Sequence, residues 1–142
     1  NAAHNLVLAL RAGAAEVWGV EPDDRYRSQA MLVRQCLGLQ QCMTILDHLP
    51  HGDRLSYGRR AEIGLLCAVL RHIPEAERVP TLERMARLCH RVFINGNGLP
   101  EAPDGDSMQS ILGYIEAAGL EVEDIRCTPH VRGLRVLVKQ RG

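Results

Sequence analysis

Two carboxylates stand where apolar runs give out. Glu21 follows Val17-Trp18-Gly19-Val20, and Asp47 follows Met43-Thr44-Ile45-Leu46. Nucleotide-binding α/β folds grip a ribose with an acid at the end of an early strand, because one carboxylate can accept from both vicinal hydroxyls. Glu21 has that position, directly after a short strand that follows a helical segment. Plainer roles are open to both acids. Glu21 can cap the helix that begins near residue 25, and Asp47 can be a turn residue ahead of Pro50. His72 lies just past another apolar run, Glu62 to Ala68. An imidazole with an ordinary pKa of about 6.5 suits a general base, and a structural histidine fits the position as well. His48, His51 and Asp53 form a polar loop with no fourth ligand in evidence, so no metal site is expected.

The elements that must position these side chains follow from periodicity. Residues 5–12 place Leu6, Val7, Ala9 and Leu10 on one helical face, and Gly13 offers a stop. A strand is expected over 16–20. Asp23 or Asp24 can cap a helix over 25–37, with Tyr26, Ala30, Val33 and Leu37 on its inner side and Gly38 at its end. A second strand spans 42–46, and a Pro/Gly-containing loop spans 47–60. The nearly continuous apolar run 62–68 reads as a strand buried on both faces. Pro80 fits the first turn of a helix reaching Cys89, with Leu82, Met85, Ala86 and Leu88 inward. A strand over 91–95, a Gly/Pro/Asp loop over 96–106 and a helix from Ser107 to Ala118, stopped by Gly119, come next. The last two strands, 121–127 and 133–139, are joined by a link around Pro129 that is too short for a parallel crossover, so they must run antiparallel. Alternating strands and helices predict an α/β fold with a mostly parallel sheet and a reversed C-terminal strand.

Composition bounds the rest. The chain has 142 residues, 46% of them apolar and only 4% aromatic, which predicts one domain with an aliphatic core. Seventeen basic residues balance seventeen acidic ones, so there is no global basic field to draw in nucleic acid. Arg126, Arg132, Arg135, Lys139 and Arg141 make the C-terminal stretch locally basic, as a solvated edge does. Five cysteines, an odd number with no Cys-x-x-Cys pair, suit a reduced cytoplasmic setting. No apolar run approaches the ~20 residues of a membrane span, and no signal peptide is visible.

Three passages carry a family resemblance. They are Leu8–Ala14 running into Val17–Pro22; Ile63–Pro74; and Ala117–Glu121 together with Leu134–Val138. In this order and spacing the whole chain resembles the class I S-adenosylmethionine-dependent methyltransferases. The resemblance implies a three-layer Rossmann-like sandwich with strand order 3-2-1-4-5-7-6, the seventh strand reversed. Family members open with an apolar strand ending in Asp-x-Gly-x-Gly-x-Gly. Here Asn1-Ala2-Ala3 matches the second half of that loop. The expectation is therefore one methyltransferase-like domain over residues 1–142, truncated at its N-terminus and lacking the first strand, so that two strands lose a hydrogen-bonded neighbour. The start is also similar to a subgroup with a Gly-Cys-Asn-Ala-Gly loop, which includes some tRNA wobble-uridine modifying enzymes.

By resemblance the cofactor is S-adenosyl-L-methionine. Glu21 and Pro22 would meet its ribose, and Asp47 and His48 its adenine. The backbone at Cys67 and Ala68 would meet its methionine end. Asn1, Ala2 and Ala3 would lie at its carboxylate, with Ala3 in the family's last glycine position. His72 would be the candidate catalytic base. The expected activity is methyl transfer to an unidentified small-molecule or RNA acceptor, with the oligomeric state open. Two alternatives stand beside it. A nicotinamide-dependent oxidoreductase requires a Gly-x-Gly-x-x-Gly loop and a parallel final strand. A non-catalytic methyltransferase-like scaffold fits the alanine in the glycine loop.

Overall fold

Val17–Val20 (β1) and Met43–Leu46 (β2) pair in parallel, Val17 opposite Met43 and Val20 opposite Leu46, in a computed structural model that describes residues 2–52, 55, 58–128 and 133–142. They belong to the first of two compact units, Asn1–Leu49 and Pro50–Gly142. Helix α1, Ala2–Arg11, starts earlier than the expected 5–12, because Ala2-Ala3 are good helix formers and nothing breaks the run. It ends at Gly13, whose φ of +102° only glycine adopts without strain. Leu6 of α1 packs on β1 at Gly19, where a Cβ would stand 2.6 Å from Leu6 Cδ1.

Helix α2, Asp24–Cys36, is capped by Asp23, whose Oδ1 accepts from the N–H groups of Arg25 (2.9 Å) and Tyr26 (3.2 Å). Its inner face is narrower than periodicity implied. Ala30 is buried, but Tyr26 and Leu37 are 55% and 51% exposed. Two strands of four residues each give α2 too little apolar surface to cover a full stripe.

The second unit holds β3 (Ala61–Cys67), a 3-10 turn (Leu70–His72), α3 (Glu75–Leu88), β4 (Cys89–Gly96), α4 (Met108–Ala117), β5 (Leu120–Arg126) and β6 (Leu134–Gln140). Its sheet order is β3-β4-β6-β5. β3 and β4 are parallel, while β6 is antiparallel to both neighbours. β6 is thus the reversed strand expected from the short link, although the residues around Pro129 lie outside those described. The pairings β2–β1 and β3–β4–β6–β5 are those of the implied order 3-2 and 4-5-7-6. The nicotinamide alternative required a parallel final strand, which β6 is not.

Helix α3 packs on β3, β4 and β6, and α4 on β5 and α3. Leu82, Leu88, Val92, Ile94, Ile111, Leu134, Val136 and Val138 form the buried aliphatic core between them. Two expectations need correction. α3 begins at Glu75, so Pro80 sits inside it rather than in its first turn. Glu75 and Glu77 favour the start through the helix dipole, and the buried residues Arg78, Leu82, Met85, Ala86 and Leu88 hold the helix across the one backbone bond that Pro80 cannot donate. β3 is covered on one face only, since Leu66 is buried but Ile63 and Leu65 are 52% and 44% exposed. Gly64, on the covered face, lets Met85 and Cys89 of the α3–β4 segment approach closely.

Candidate functional site

In the first unit the candidate residues gather at the carboxyl ends of β1 and β2. Glu21 extends the ladder by donating its N–H to the Leu46 carbonyl (2.9 Å). Its own carbonyl accepts from Arg27 Nη1 (2.9 Å), and that nitrogen also reaches the Pro22 carbonyl (3.2 Å). Glu21 Oε1 accepts from the Asp23 N–H (3.1 Å). Glu21 therefore braces the residue that caps α2 and is not itself the cap. Its side chain is half-buried and enters no ion pair among the described residues.

Asp47 lies beside it at the end of β2, with Oδ1 2.5 Å from His48 Nδ1. Partial burial pushes the Asp47 carboxyl up. Its own backbone N–H, the adjoining His48 and the Arg27 guanidinium outweigh that and hold it below the usual carboxylate range. Asp47 is thus ionised at neutral pH. α1 packs back along β1, which turns its N-terminal end toward the same rim. Ala2 opens that helix and Ala3 is 4% exposed, while Asn1 is outside the described residues. The rim offers two carboxylate acceptors and the N–H groups of a helix start. That set matches the donors and the anionic end of an amino-acid-bearing nucleoside.

In the second unit Cys67 closes β3 opposite Asn95 of β4, and the Ala68 N–H donates to the Asn95 carbonyl (2.9 Å). Ala68 has φ +55°, the single described non-glycine residue in the left-handed region. That conformation costs an alanine about 1–2 kcal/mol, and such strain concentrates where a backbone must face a ligand. His72 ends the 3-10 turn and is exposed. Its Nε2 accepts from Arg71 Nε at 3.1 Å. An arginine can only donate, so this bond occupies the Nε2 lone pair. His72 can serve as a base only after Arg71 lets go. Of the polar loop noted in the sequence, Asp53 is outside the described residues.

A second-unit cluster was not foreseen. Arg78, 7% exposed, donates from Nε to the carbonyls of Leu70 and Ile73 (3.0 Å each). Its Nη1 pairs with the Asp104 carboxylate and bonds Tyr114 Oη (2.7 Å), and the guanidinium lies 5.2 Å from the Tyr114 ring centre. Tyr114 in turn donates to Asp104 Oδ2 (2.7 Å). The Tyr114 hydroxyl, with Arg78, holds the Asp104 carboxyl low. Burial works against the Arg78 charge, but Tyr114 and Asp104 hold its pKa above the ordinary arginine value. Nearby, the buried Asp106 accepts from the Asn97 N–H (3.1 Å) and from Arg71 Nη1 (3.3 Å). These bonds join the segment after β3, which carries His72, to the loop after β4. The Arg71–Asp106, Arg78–Asp104 and Arg78–Tyr114 bonds connect residues 26 to 36 apart along the chain, and no local pattern marks them.

No family model matches the sequence, and no curated protein sequence matches it either. Solved structures do. Mitomycin 7-O-methyltransferase MmcR superposes with a TM-score of 0.72 at 18% identity, over 99% of this chain and 47% of that one. Magnesium protoporphyrin IX methyltransferase (ChlM) from Synechocystis PCC 6803, solved with bound SAM, gives 0.65 at 16% identity, over 96% and 64%. LepI, solved in complex with SAM, gives 0.65 at 13% identity, over 99% and 41%. The chain thus spans between two fifths and two thirds of the length of these three structures. What the superpositions show, together with the strand order, is the Rossmann-like fold of class I methyltransferases.

Proposed function

We propose that this chain binds S-adenosyl-L-methionine and serves methyl transfer to a small-molecule acceptor. The observation that carries the reading is Glu21, a half-buried carboxylate with its backbone fixed on both sides, at the carboxyl end of β1 in a chain of this fold. Glu21, with Pro22, would hold the ribose. Asp47, ionised, would accept from the adenine amino group, with His48 beside it. The N-terminal turn of α1, at Ala2 and Ala3, would face the carboxylate. In the second unit, taken by itself, Cys67 and the strained Ala68 present backbone at the end of β3, where the resemblance implies the methionine part. The cofactor supplies an already activated methyl group, so the protein's task is to align an acceptor and exclude water.

His72 is the candidate base for the acceptor, gated by Arg71. The small-molecule class is favoured by MmcR and ChlM, whose names refer to mitomycin and magnesium protoporphyrin IX. An RNA acceptor draws little support from the described C-terminal basic residues Lys139 and Arg126, since Lys139 faces Glu121 and Glu123 and Arg126 pairs with Asp124. A non-catalytic scaffold is the second reading, favoured by the buried Cβ of Ala3 at the family's glycine position.

Isothermal titration with S-adenosylhomocysteine tests both. The proposal expects binding, weakened by about 1.5–3 kcal/mol in Glu21→Ala as charge-assisted hydrogen bonds are lost. Absence of binding supports the scaffold. Binding that Glu21→Ala leaves unchanged removes the ribose role.

A further inference from the structure

We infer that Arg27 is a positioning residue for ligand recognition at the β1–β2 rim, acting through Glu21 without touching the ligand; this rests on the ribose role proposed for Glu21. Arg27 is the fourth residue of α2, yet its guanidinium turns back past the helix start. Nη1 binds two successive carbonyls, those of Glu21 (2.9 Å) and Pro22 (3.2 Å), and Nη2 pairs with Asp24. A helix start needs none of this, because Asp23 already caps α2. What the bonds add is a fixed direction for the 21–22 peptide.

With its N–H held by Leu46 and its carbonyl by Arg27, Glu21 cannot rotate about its own backbone, so its Cα–Cβ vector is set. A carboxylate that must meet two hydroxyls at once tolerates little rotation, and such placement errors are costly in bound complexes. The guanidinium suits the task better than an ammonium. Its planar fork holds two carbonyls with one nitrogen and a carboxylate with the other in a fixed relative geometry, whereas a lysine offers a single nitrogen on a flexible stem. With its side chain 25% exposed, Arg27 is sheltered enough for these bonds to persist.

The test is a double-mutant cycle read by titration of S-adenosylhomocysteine into the full chain. Arg27→Met keeps the length of the stem and removes the donors, and Arg27→Lys keeps the charge. Circular dichroism at each titration temperature establishes that every variant is folded. The expected result is a loss of about tenfold in affinity for Arg27→Met and a smaller loss for Arg27→Lys. In the Glu21→Ala background the same Arg27→Met change should then cost nothing further.

Three results overturn the inference. If Arg27→Met binds as tightly as the parent while Glu21→Ala is weakened, Arg27 has no positioning role although Glu21 keeps its own. If the two losses add, Arg27 acts independently of Glu21. If Glu21→Ala binds as the parent does, or the parent binds nothing, the underlying reading of the rim has failed, and the parent and Glu21→Ala titrations separate that failure from the failure of Arg27 alone. Should Arg27→Met not fold, Arg27→Lys with and without Glu21→Ala supplies the same cycle.

Discussion

Gly105→Ala is the substitution whose cost the geometry separates most cleanly into parts. Gly105 has φ +79°, and a Cβ built there would stand 2.9 Å from Arg71 N and 3.0 Å from both Arg71 Cα and Leu70 C. Those are backbone atoms, so no side chain can swing aside. The left-handed conformation costs alanine about 1–2 kcal/mol. The reduced entropy of the unfolded chain returns about 0.4–1 kcal/mol of that. Carbon contacts prefer about 3.5–4.0 Å, so the loop or the 3-10 turn must move by roughly half an ångström or more. Leu70 is 2% exposed and its carbonyl is held by Arg78, which resists the move. Forced overpacking of this kind costs about 1–3 kcal/mol.

Gly119→Ala is the matched control, because Gly119 has φ +66° and nothing within 4 Å of the added methyl. It carries the backbone penalty alone. Urea unfolding should therefore place Gly105→Ala about 1–3 kcal/mol below Gly119→Ala. Amide exchange adds a local readout. The N–H groups of His72 and Ile73 bond the carbonyls of Val69 and Leu70, and they should lose protection in Gly105→Ala alone. If the two variants are equally stable, within the ~0.5 kcal/mol scatter of such comparisons, the loop after β4 does not bear on the turn after β3 and the account of that junction is wrong.

Asp23→Ala should lower stability by about 0.5–2 kcal/mol, as it removes the cap from α2, and thermal unfolding measures it. Burial pushes the Cys89 thiol up to about 11 from an ordinary 9.0. The folded state then keeps a proton that the unfolded state loses, so stability should fall as pH rises through that interval, and the fall should be shallower in Cys89→Ala. At pH 8 a thiol reagent should label exposed Cys36 and Cys127 in the native protein and reach Cys89 only on unfolding. Arg78→Met should destabilise by several kcal/mol, about the 3–5 kcal/mol typical of an opened buried pair, reduced because Asp104 is 54% exposed. A loss below 1 kcal/mol in urea unfolding would remove Arg78 from its central place.

Strand identity and the reversed final strand were legible because they follow from local rules. Period, run length and a short link decide them, and the pairings of β1 with β2 and of β6 with β4 and β5 agree. Helix faces were less legible. Tyr26 and Leu37 fall on the inward period of α2, but what buries a stripe is the sheet beneath it, and a four-residue strand is not visible as too small until it is built. The same holds for β3. Its unbroken apolar run promised two covered faces, and only the face of Gly64 and Leu66 is covered, which leaves Ile63 and Leu65 in the open. The positions of Glu21 and Asp47 at strand ends could be read directly, whereas the hydrogen bonds that orient the Glu21 backbone could not.

Two arginines explain why that second layer stayed hidden. Arg27 and Arg78 both lie on helices, and both spend their donors on carbonyls of the segment that follows a strand: Glu21 and Pro22 in one unit, Leu70 and Ile73 in the other. A carbonyl accepts whatever the identity of its residue, so the acceptor leaves no mark in the sequence. The donor leaves only an arginine on a helix, which solvent exposure would explain equally well. Segments after strands are where an open α/β sheet meets its ligand, and such loops carry few hydrogen bonds of their own. A helix-borne guanidinium is one of the few devices that can hold several loop carbonyls at once, since it has five donors in a fixed plane. If the rim of β1 and β2 binds as proposed, an arginine bonded to carbonyls just past a strand end, as Arg27 is, would set the precision of the site without touching what is bound.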